Sequence, residues 1–575
     1  MSAYVPLLAL VTVTSPSGDT LLPEVASYPT PGRPAVELAQ QPNPNEERFL
    51  QETPDTPSVE DETPVLPEIP ASSPALPTEG ATVPFRVEQV VVEGSTVFSP
   101  AELRPLVEPL AGTTVTLADL QAAADEITQL YLSAGYLTSR AIVPEQTVVD
   151  GLVRLQVIEG QISAVVIEGT RRLRQAYVRD RVELGLGIPL RTDRLENQLR
   201  LLRADPLIDS ISARLQAGEE SGESRLVVQV AEADPWAGEL RVDNYSPPSV
   251  GSERIGGELA YRNLTGLGDA LSVSVDRTAQ GGSTLVEAGY RVPLNPMDGT
   301  LQVRALVNRN QIITPSLEAF DIEGESELYE VSFRQPLVRS PRQELALSVG
   351  FGYRDGQTLI NQLPVGAPFD PDITSRTSVF RFGQDYTRRD RLGAWALRSQ
   401  FSLGTGLFNA TVTEDGPDSR FFSWLGQAQR AQRLGRNQVL VAQLDLQLTP
   451  DPLLASEDFV IGGGRSLRGF RQNARAGDNG VRFSLEDRIT LARDEAGAAT
   501  VQLLPFADLG AVWNDGDGGE LPDQQFLAGV GVGALWEMLP DLTLRVDLAV
   551  PLVDLDDRGE NAQDDGIYFS VNYRL

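Results

Sequence analysis

The chain has 575 residues with neither cysteine nor histidine, so it is too long for one compact core, and disulfide scaffolds, thiolate metal sites and the commonest general base are excluded. Its 80 acidic and 48 basic residues give a formal net charge of -32, which repels phosphate backbones and excludes a nucleic-acid partner. No window holds the roughly 18 apolar residues of a transmembrane helix, but a barrel needs none, because its lipid-facing residues occur at alternate positions.

Residues 1–20 carry "VPLLALVTVTSPSGDT", an apolar run of signal-peptide length ending in small residues, with no Lys or Arg before Arg33. It reads as a signal-peptide remnant, with a disordered apolar end as the alternative. From Pro23 to Pro84 there are 14 prolines in 62 residues, which blocks helix and sheet. Residues 21–84 therefore read as an extended, disordered acidic linker, or alternatively as a plug or partner-binding arm.

At Phe85 the composition becomes globular. "FRVEQVVVEG" predicts a strand, and Ser99 before Pro100 predicts a capped helix start. "LADLQAAADEITQLYLSAGYL" places Leu120, Ala123, Ile127 and Leu130 on one helical face. "SRAIVPEQTVVDG" and "LVRLQVIEG" then predict two closing strands. The "VVVEG" ending at Gly94 returns as "VVIEG" ending at Gly169, an offset of 169 − 94 = 75 residues, with the same order of elements after it. Two tandem β-α-α-β-β modules follow, over 85–160 and 161–234.

From Pro235 onward the period is two. "DALSVSVD" sorts Leu271, Val273 and Val275 from Ser272, Ser274 and Asp276, and the same sorting recurs in "LQVRALVNRN", "VLVAQLDLQL", "VRFSLEDRITL", "LTLRVDLAV" and "IYFSVNYRL". Long acidic or Gly/Pro-rich loops, such as "TPSLEAFDIEGES", "TLINQLPVGAPFDPDIT" and "DLDDRGENAQDDG", alternate with short turns such as "NPMDG". That asymmetry, with a polar inner face and strands of about ten residues, predicts a transmembrane antiparallel β-barrel over 235–575. Its 341 residues allow about sixteen strands at roughly 21 residues per strand and loop.

Two such modules followed by a barrel with an "LRGF" loop resemble the two-partner secretion transporters of the haemolysin-activator type, in which the modules are POTRA domains. The resemblance runs from about Phe85 to Leu575. Its most specific points are the first hairpin with its Asn263–Asp269 turn, the sixth-loop core Leu467, Arg468, Gly469 and Phe470, the "GDNG" before "FSLEDRI", and "FADLG" from Phe506 to Gly510. The chain ends in Leu575 where many such barrels end in Phe, and no amphipathic helix matching the plug of some members precedes the first module.

If Ala507, Leu509 and Ala511 face lipid, then Phe506, Asp508 and Gly510 face the lumen, and Arg468 is the natural partner of the Asp508 carboxylate. Gly462 to Gly464 supply the freedom for the loop to fold back into a water-filled pore, with Arg465 facing solvent. Glu486 and Arg488 fall on the inner wall as a structural pair. The alternatives are an ordinary flexible loop and a lumen-solvating Asp508. "GGGRSLRGF" lacks the Gly-Lys-Ser/Thr ending of a phosphate loop, and "NDGDGGELPD" lacks calcium-loop spacing and reads as a solvated external loop. No catalytic residue, metal or cofactor is expected.

The resemblance implies a monomeric outer-membrane protein, its barrel in lipid and its POTRA domains in the periplasm, where they capture an unfolded secreted protein for passage through the pore. The alternatives are an assembly factor that inserts other barrels and a soluble carbohydrate-active β-protein using paired carboxylates.

Overall fold

The computed structural model describes residues 83–315, 317–318, 321–360, 363–364, 374–414, 416–514, 521 and 524–575. The apolar N-terminal run, the proline-rich linker up to residue 82, and most of "TLINQLPVGAPFDPDIT" and "NDGDGGELPD" lie outside the described residues. The protein is mainly β, and the described residues fall into two units that meet in sequence between Asp234 and Pro235.

In the first module, Leu152–Ile158 is the central strand, parallel to Gln89–Glu93 and antiparallel to Arg140–Ile142. Helix Pro100–Val107 starts where Ser99 and Glu102 cap each other, and helix Leu117–Ser133 starts at the equivalent Thr116–Asp119 box. The longer helix buries Leu120, Ala123 and Ile127 of the predicted face together with Ala124 and Tyr131, while Leu130 is only partly buried against the same core. The strand expected across "SRAIVPEQTVVDG" stops at Ile142, because Pro144 has no N–H to continue the ladder. A further two-stranded pair joins Phe85–Arg86 to Thr114–Val115.

The second module repeats the arrangement. Glu223–Glu232 lies between Gln161–Glu168 and Ile208–Ala217, under helices Gln175–Glu183 and Thr192–Arg203. Leu195, Leu199 and Leu202 fill its core with Val178, Val182 and Leu226.

In each module one carboxylate also holds the loop that follows Gln89–Glu93 or its counterpart Gln161–Glu168. Glu159 accepts the Thr96 N–H at 2.7 Å, the Val97 N–H at 3.1 Å and the Tyr131 hydroxyl at 2.7 Å. Glu232 accepts the N–H groups of Arg171, Arg172 and Leu173 at 2.6, 2.9 and 2.9 Å. Burial pushes both carboxyls up, but these hydrogen bonds outweigh it and hold both below the usual carboxylate range.

From Trp236 on, sixteen long antiparallel strands among the described residues close into a barrel, with Ile567–Arg574 pairing Trp236–Asp243 from Ser570↔Asp243 to Arg574↔Glu239. Closure leaves no long unpaired sheet edge to the lipid. Leu271, Val273 and Val275 face outward and Asp276 inward, as the alternation requires. Helices contribute nothing to the crossing: among the described residues none is long and apolar enough.

The wall is uneven. Ile322–Ser340, Gln343–Ile360 and Thr374–Asp390 have 19, 18 and 17 residues, well beyond the expected ten. The second half of "TPSLEAFDIEGES" is strand rather than loop, because its residues still alternate, with Ile322, Gly324 and Ser326 buried and Glu325 and Glu327 exposed. Outward acids do not interrupt a ladder that rises beyond the lipid.

Candidate functional site

Strands Gln438–Leu448 and Asn479–Arg493 are neighbours in the wall, and residues 449–478 connect them as a hairpin rather than as a free loop. Phe459–Ile461 pairs with Arg475–Gly477. Phe459, Ile461, Leu467, Phe470 and Ala474 form one apolar cluster with Leu425, Val512 and Leu527 of the wall. Those wall residues point inward, so the hydrophobic effect draws the hairpin into the barrel. At its tip Gly462 and Gly463 have φ of +111° and +104°, a backbone open to glycine at little cost.

Arg468 is the centre of the site. Its Nε and Nη2 donate to Asp508 Oδ2 and Oδ1 at 2.7 and 2.9 Å, and its backbone N–H donates to Oδ2 at 3.1 Å. Its Nη1 donates to Glu486 Oε2 at 2.8 Å and lies 3.8 Å from Asp547 Oδ1. The guanidinium also stacks over the Phe506 ring at 3.4 Å from its centroid. Leu467 and Phe470 flank it, both buried, while Gly469 has φ +103° and its N–H donates to the Tyr568 hydroxyl at 2.9 Å.

The predicted residues thus come together, and the predicted medium does not. Arg468 is 5% exposed and Asp508 0% exposed, so the pair sits in a sealed interior rather than in open water. The apolar cluster beside it and the Phe506 ring exclude solvent. Arg465 is exposed, as expected, and its guanidinium also lies 5.2 Å from the Tyr245 ring centroid and 3.9 Å from Asp243 Oδ2.

Glu486 is not simply paired with Arg488. It accepts Arg488 Nε at 3.0 Å, Arg545 Nη2 at 2.7 Å and Arg468 Nη1 at 2.8 Å, and Arg545 Nε also reaches Asp547 at 2.7 Å. Three arginines, 468, 488 and 545, therefore balance three carboxylates, 486, 508 and 547. A buried ionic network of this kind stands only while its charges match, and removing one partner from such a network costs roughly 3–5 kcal/mol.

Several residues escaped the sequence reading. Gly529 and Gly531, alternate residues of "GVGVG", face inward: a Cβ at Gly529 would collide with the Arg468 carbonyl oxygen, and one at Gly531 with the Phe506 ring. Gly510, which the sequence did place on the lumen face, leaves room for Leu467 in the same way. The Tyr568 hydroxyl donates to the Phe470 carbonyl oxygen at 2.6 Å. Toward the loop base, Arg471 forks onto Asp564 with both bonds at 2.9 Å, and Arg475 onto Asp557 with both at 3.0 Å. Two acids of "DLDDRGENAQDDG" are thus loop anchors.

No group of His, Cys, Asp or Glu among the described residues is arranged to hold a metal ion. The arrangement binds a loop.

Comparison with known proteins agrees. Residues 222–535 match the family described as haemolysin secretion/activation protein ShlB/FhaC/HecB, and residues 85–160 match the ShlB-type POTRA domain. The chain is 23% identical over 430 residues to the outer membrane transporter CdiB of Escherichia coli O6:K15:H31, covering 70% of this chain and 68% of that one. It is 23% identical over 421 residues to the heme/hemopexin transporter protein HuxB of Haemophilus influenzae, covering 70% and 71%. The solved structure of CdiB from Escherichia coli superposes with a TM-score of 0.66 at 22% identity, over 89% of this chain and 94% of that one, and establishes the shared fold. The chain belongs to the ShlB/FhaC/HecB family of haemolysin secretion/activation proteins, as an outer-membrane transporter of two-partner secretion with POTRA domains in the periplasm.

Proposed function

We propose that residues 85–160 and 161–234 receive an unfolded secreted protein in the periplasm, that the barrel of residues 235–575 conducts it outward, and that Arg468 sets the position of the loop in the conduit. The sheet edges support the first step. Ile208–Ala217 and Gln161–Glu168 are the outer strands of the second module's sheet, and an extended segment adds to such an edge through main-chain hydrogen bonds that are indifferent to sequence. The transporter works as one copy in outer-membrane lipid, without nucleic acid, cofactor or bond-making chemistry.

The observation that carries the reading is the burial of Arg468 against Asp508 and Glu486 inside a closed wall. The wall's own ladder does not need that contact, so the charge serves loop placement. Arg468→Ala leaves Asp508 and Glu486 short of one cation, at a cost of roughly 3–5 kcal/mol borne by the loop. The expected result is a barrel that reaches the outer membrane and still shifts its electrophoretic mobility on heating, with secretion of the partner lost or sharply reduced. Arg468→Lys restores a charge but not the fork, and recovers only part of the secretion. Wild-type secretion from Arg468→Ala contradicts the proposal.

A further inference from the structure

Strand Gly393–Thr405 pairs with Thr374–Asp390 only as far as Thr405, opposite Ser378. The chain then leaves the wall in a single 3-10 turn, Leu407–Asn409. It rejoins at Thr411, whose N–H donates to the Arg376 carbonyl oxygen at 3.0 Å and whose hydroxyl accepts the Arg376 N–H at 2.9 Å. The Ser378 hydroxyl pins the turn by donating to the Leu407 carbonyl oxygen at 2.8 Å.

The turn bulges outward. Gly352 and Arg354 are buried and face the lumen, so Phe351 and Tyr353 between and beside them face out, and the Phe408 ring packs on these two at 5.7 and 6.3 Å. Phe408 nevertheless stays 66% exposed, with Leu407 at 49% and Val412 at 51%. Phe408 and Asn409 both have φ +57°, the left-handed region that penalises a β-carbon. In water, backbone strain and an uncovered ring both oppose this arrangement; strain of this kind persists where the surroundings reward it.

The outward residues nearby identify the medium. Val331, Val349, Phe380 and Phe382 are exposed and apolar. Further along the same strands, toward the long loops, the outward positions become Glu325 and Glu327, Arg309 at 3.5 Å from Glu325, and Asp355 at 3.0 Å from Arg376. Phe408 sits on the last aromatic residues before that change. Its loop lies at the end opposite to Trp236, where the chain enters the barrel from the periplasmic modules.

We propose that the turn Leu407–Asn409 is a lipid anchor, seated at the boundary between acyl chains and headgroups of the outer leaflet, where it fixes the height of the tall wall in the membrane. Aromatic side chains favour that boundary in transmembrane barrels, and the surface continues the barrel's lipid-facing belt. Phe408, Leu407 and Val412 are covered by lipid rather than by a protein partner or by water.

The test uses the absence of cysteine from the chain. Phe408→Cys, Val349→Cys in the apolar belt and Glu325→Cys in the charged band each receive one nitroxide in the full-length protein, reconstituted into phosphatidylcholine vesicles. Collision with oxygen and with a water-soluble nickel chelate is measured. The label at 408 is expected to resemble that at 349, open to oxygen and several-fold less accessible to the chelate than the label at 325. Should Phe408→Cys lose its heat-dependent mobility shift, Leu407→Cys on the same turn gives the reading. Equal chelate access at 325 and at the turn means a water-facing surface, free for a protein, and overturns the proposal.

Discussion

Glu159 and Glu232 hold their loops with backbone N–H groups near the surface of the periplasmic modules, whereas Asp508 and Glu486 hold theirs with a guanidinium sealed inside the barrel. The donors in the first case are mostly neutral, so losing the carboxylate exposes N–H groups that water can reach. In the second case the main partners are the guanidiniums of Arg468, Arg488 and Arg545, with the Ser484 hydroxyl also donating to Asp508, and loss of the buried Arg468 charge leaves buried carboxylates uncompensated. The same device, a carboxylate clasping a loop, is forgiving in one region and brittle in the other.

The largest effect that sharpens this contrast needs no change of charge. Gly529→Val places atoms where the Arg468 carbonyl oxygen now sits. Overpacking of this kind costs roughly 1–3 kcal/mol in a rigid interior, and the loop yields before the hydrogen-bonded wall does. Secretion should fall toward the level of Arg468→Ala while the heat-dependent mobility shift is kept; full secretion from Gly529→Val breaks the account of a tightly seated loop.

A smaller effect is expected in the modules. Glu159 and Glu232 are held below the usual carboxylate range in the folded state, so their contribution is present above the unfolded value of about 4.3 and is lost as pH falls through the lowered folded value. The fragment from Phe85 to Asp234 should therefore lose stability on acidification below about pH 4.3, measured by urea unfolding. Glu232→Gln should flatten that dependence and cost about 1–2 kcal/mol at neutral pH. An unchanged acid dependence in Glu232→Gln removes this residue from the comparison.

The smallest effect belongs to Arg465→Ala. This residue gives up a ring contact with Tyr245 and a long approach to Asp243, which keeps its fork from Arg254 at 3.0 Å. A loss of about 0.5–1 kcal/mol and nearly normal secretion are expected. A defect as deep as that of Arg468→Ala makes the latch a property of the whole tip rather than of one residue.

Alternation carried most of what the sequence disclosed about this site. A period of two put Asp508, Glu486 and Arg488 on one face, and the "LRGF" loop supplied the cation. The same alternation in "LTLRVDLAV" sets Arg545 and Asp547 on the polar face, but joining them to Glu486 requires the closed wall, since Glu486 and Arg545 stand on strands that are not neighbours. Arg471 with Asp564 and Arg475 with Asp557 link loop to loop, where no period exists. The glycines of "GVGVG" carried a signal in their spacing that became meaningful only once Arg468 and Phe506 were seen against them. The paired Glu159 and Glu232 lie 232 − 159 = 73 residues apart, an echo of the module repeat at its closing strand. The tall wall was illegible because acids at every second position of "IEGESE" read as loop, although an outward face above the lipid accepts them.

The central claim is that Arg468 and Asp508 act as one contact, and the most direct test is a double-mutant cycle on secretion with equal amounts of barrel in the membrane. Arg468→Ala and Asp508→Ala should each cause a severe loss, and the double variant should be little worse than Arg468→Ala alone, because the second substitution removes a charge already deprived of its partner. Independent, multiplying losses from the two substitutions, or wild-type secretion from either one, would contradict the account.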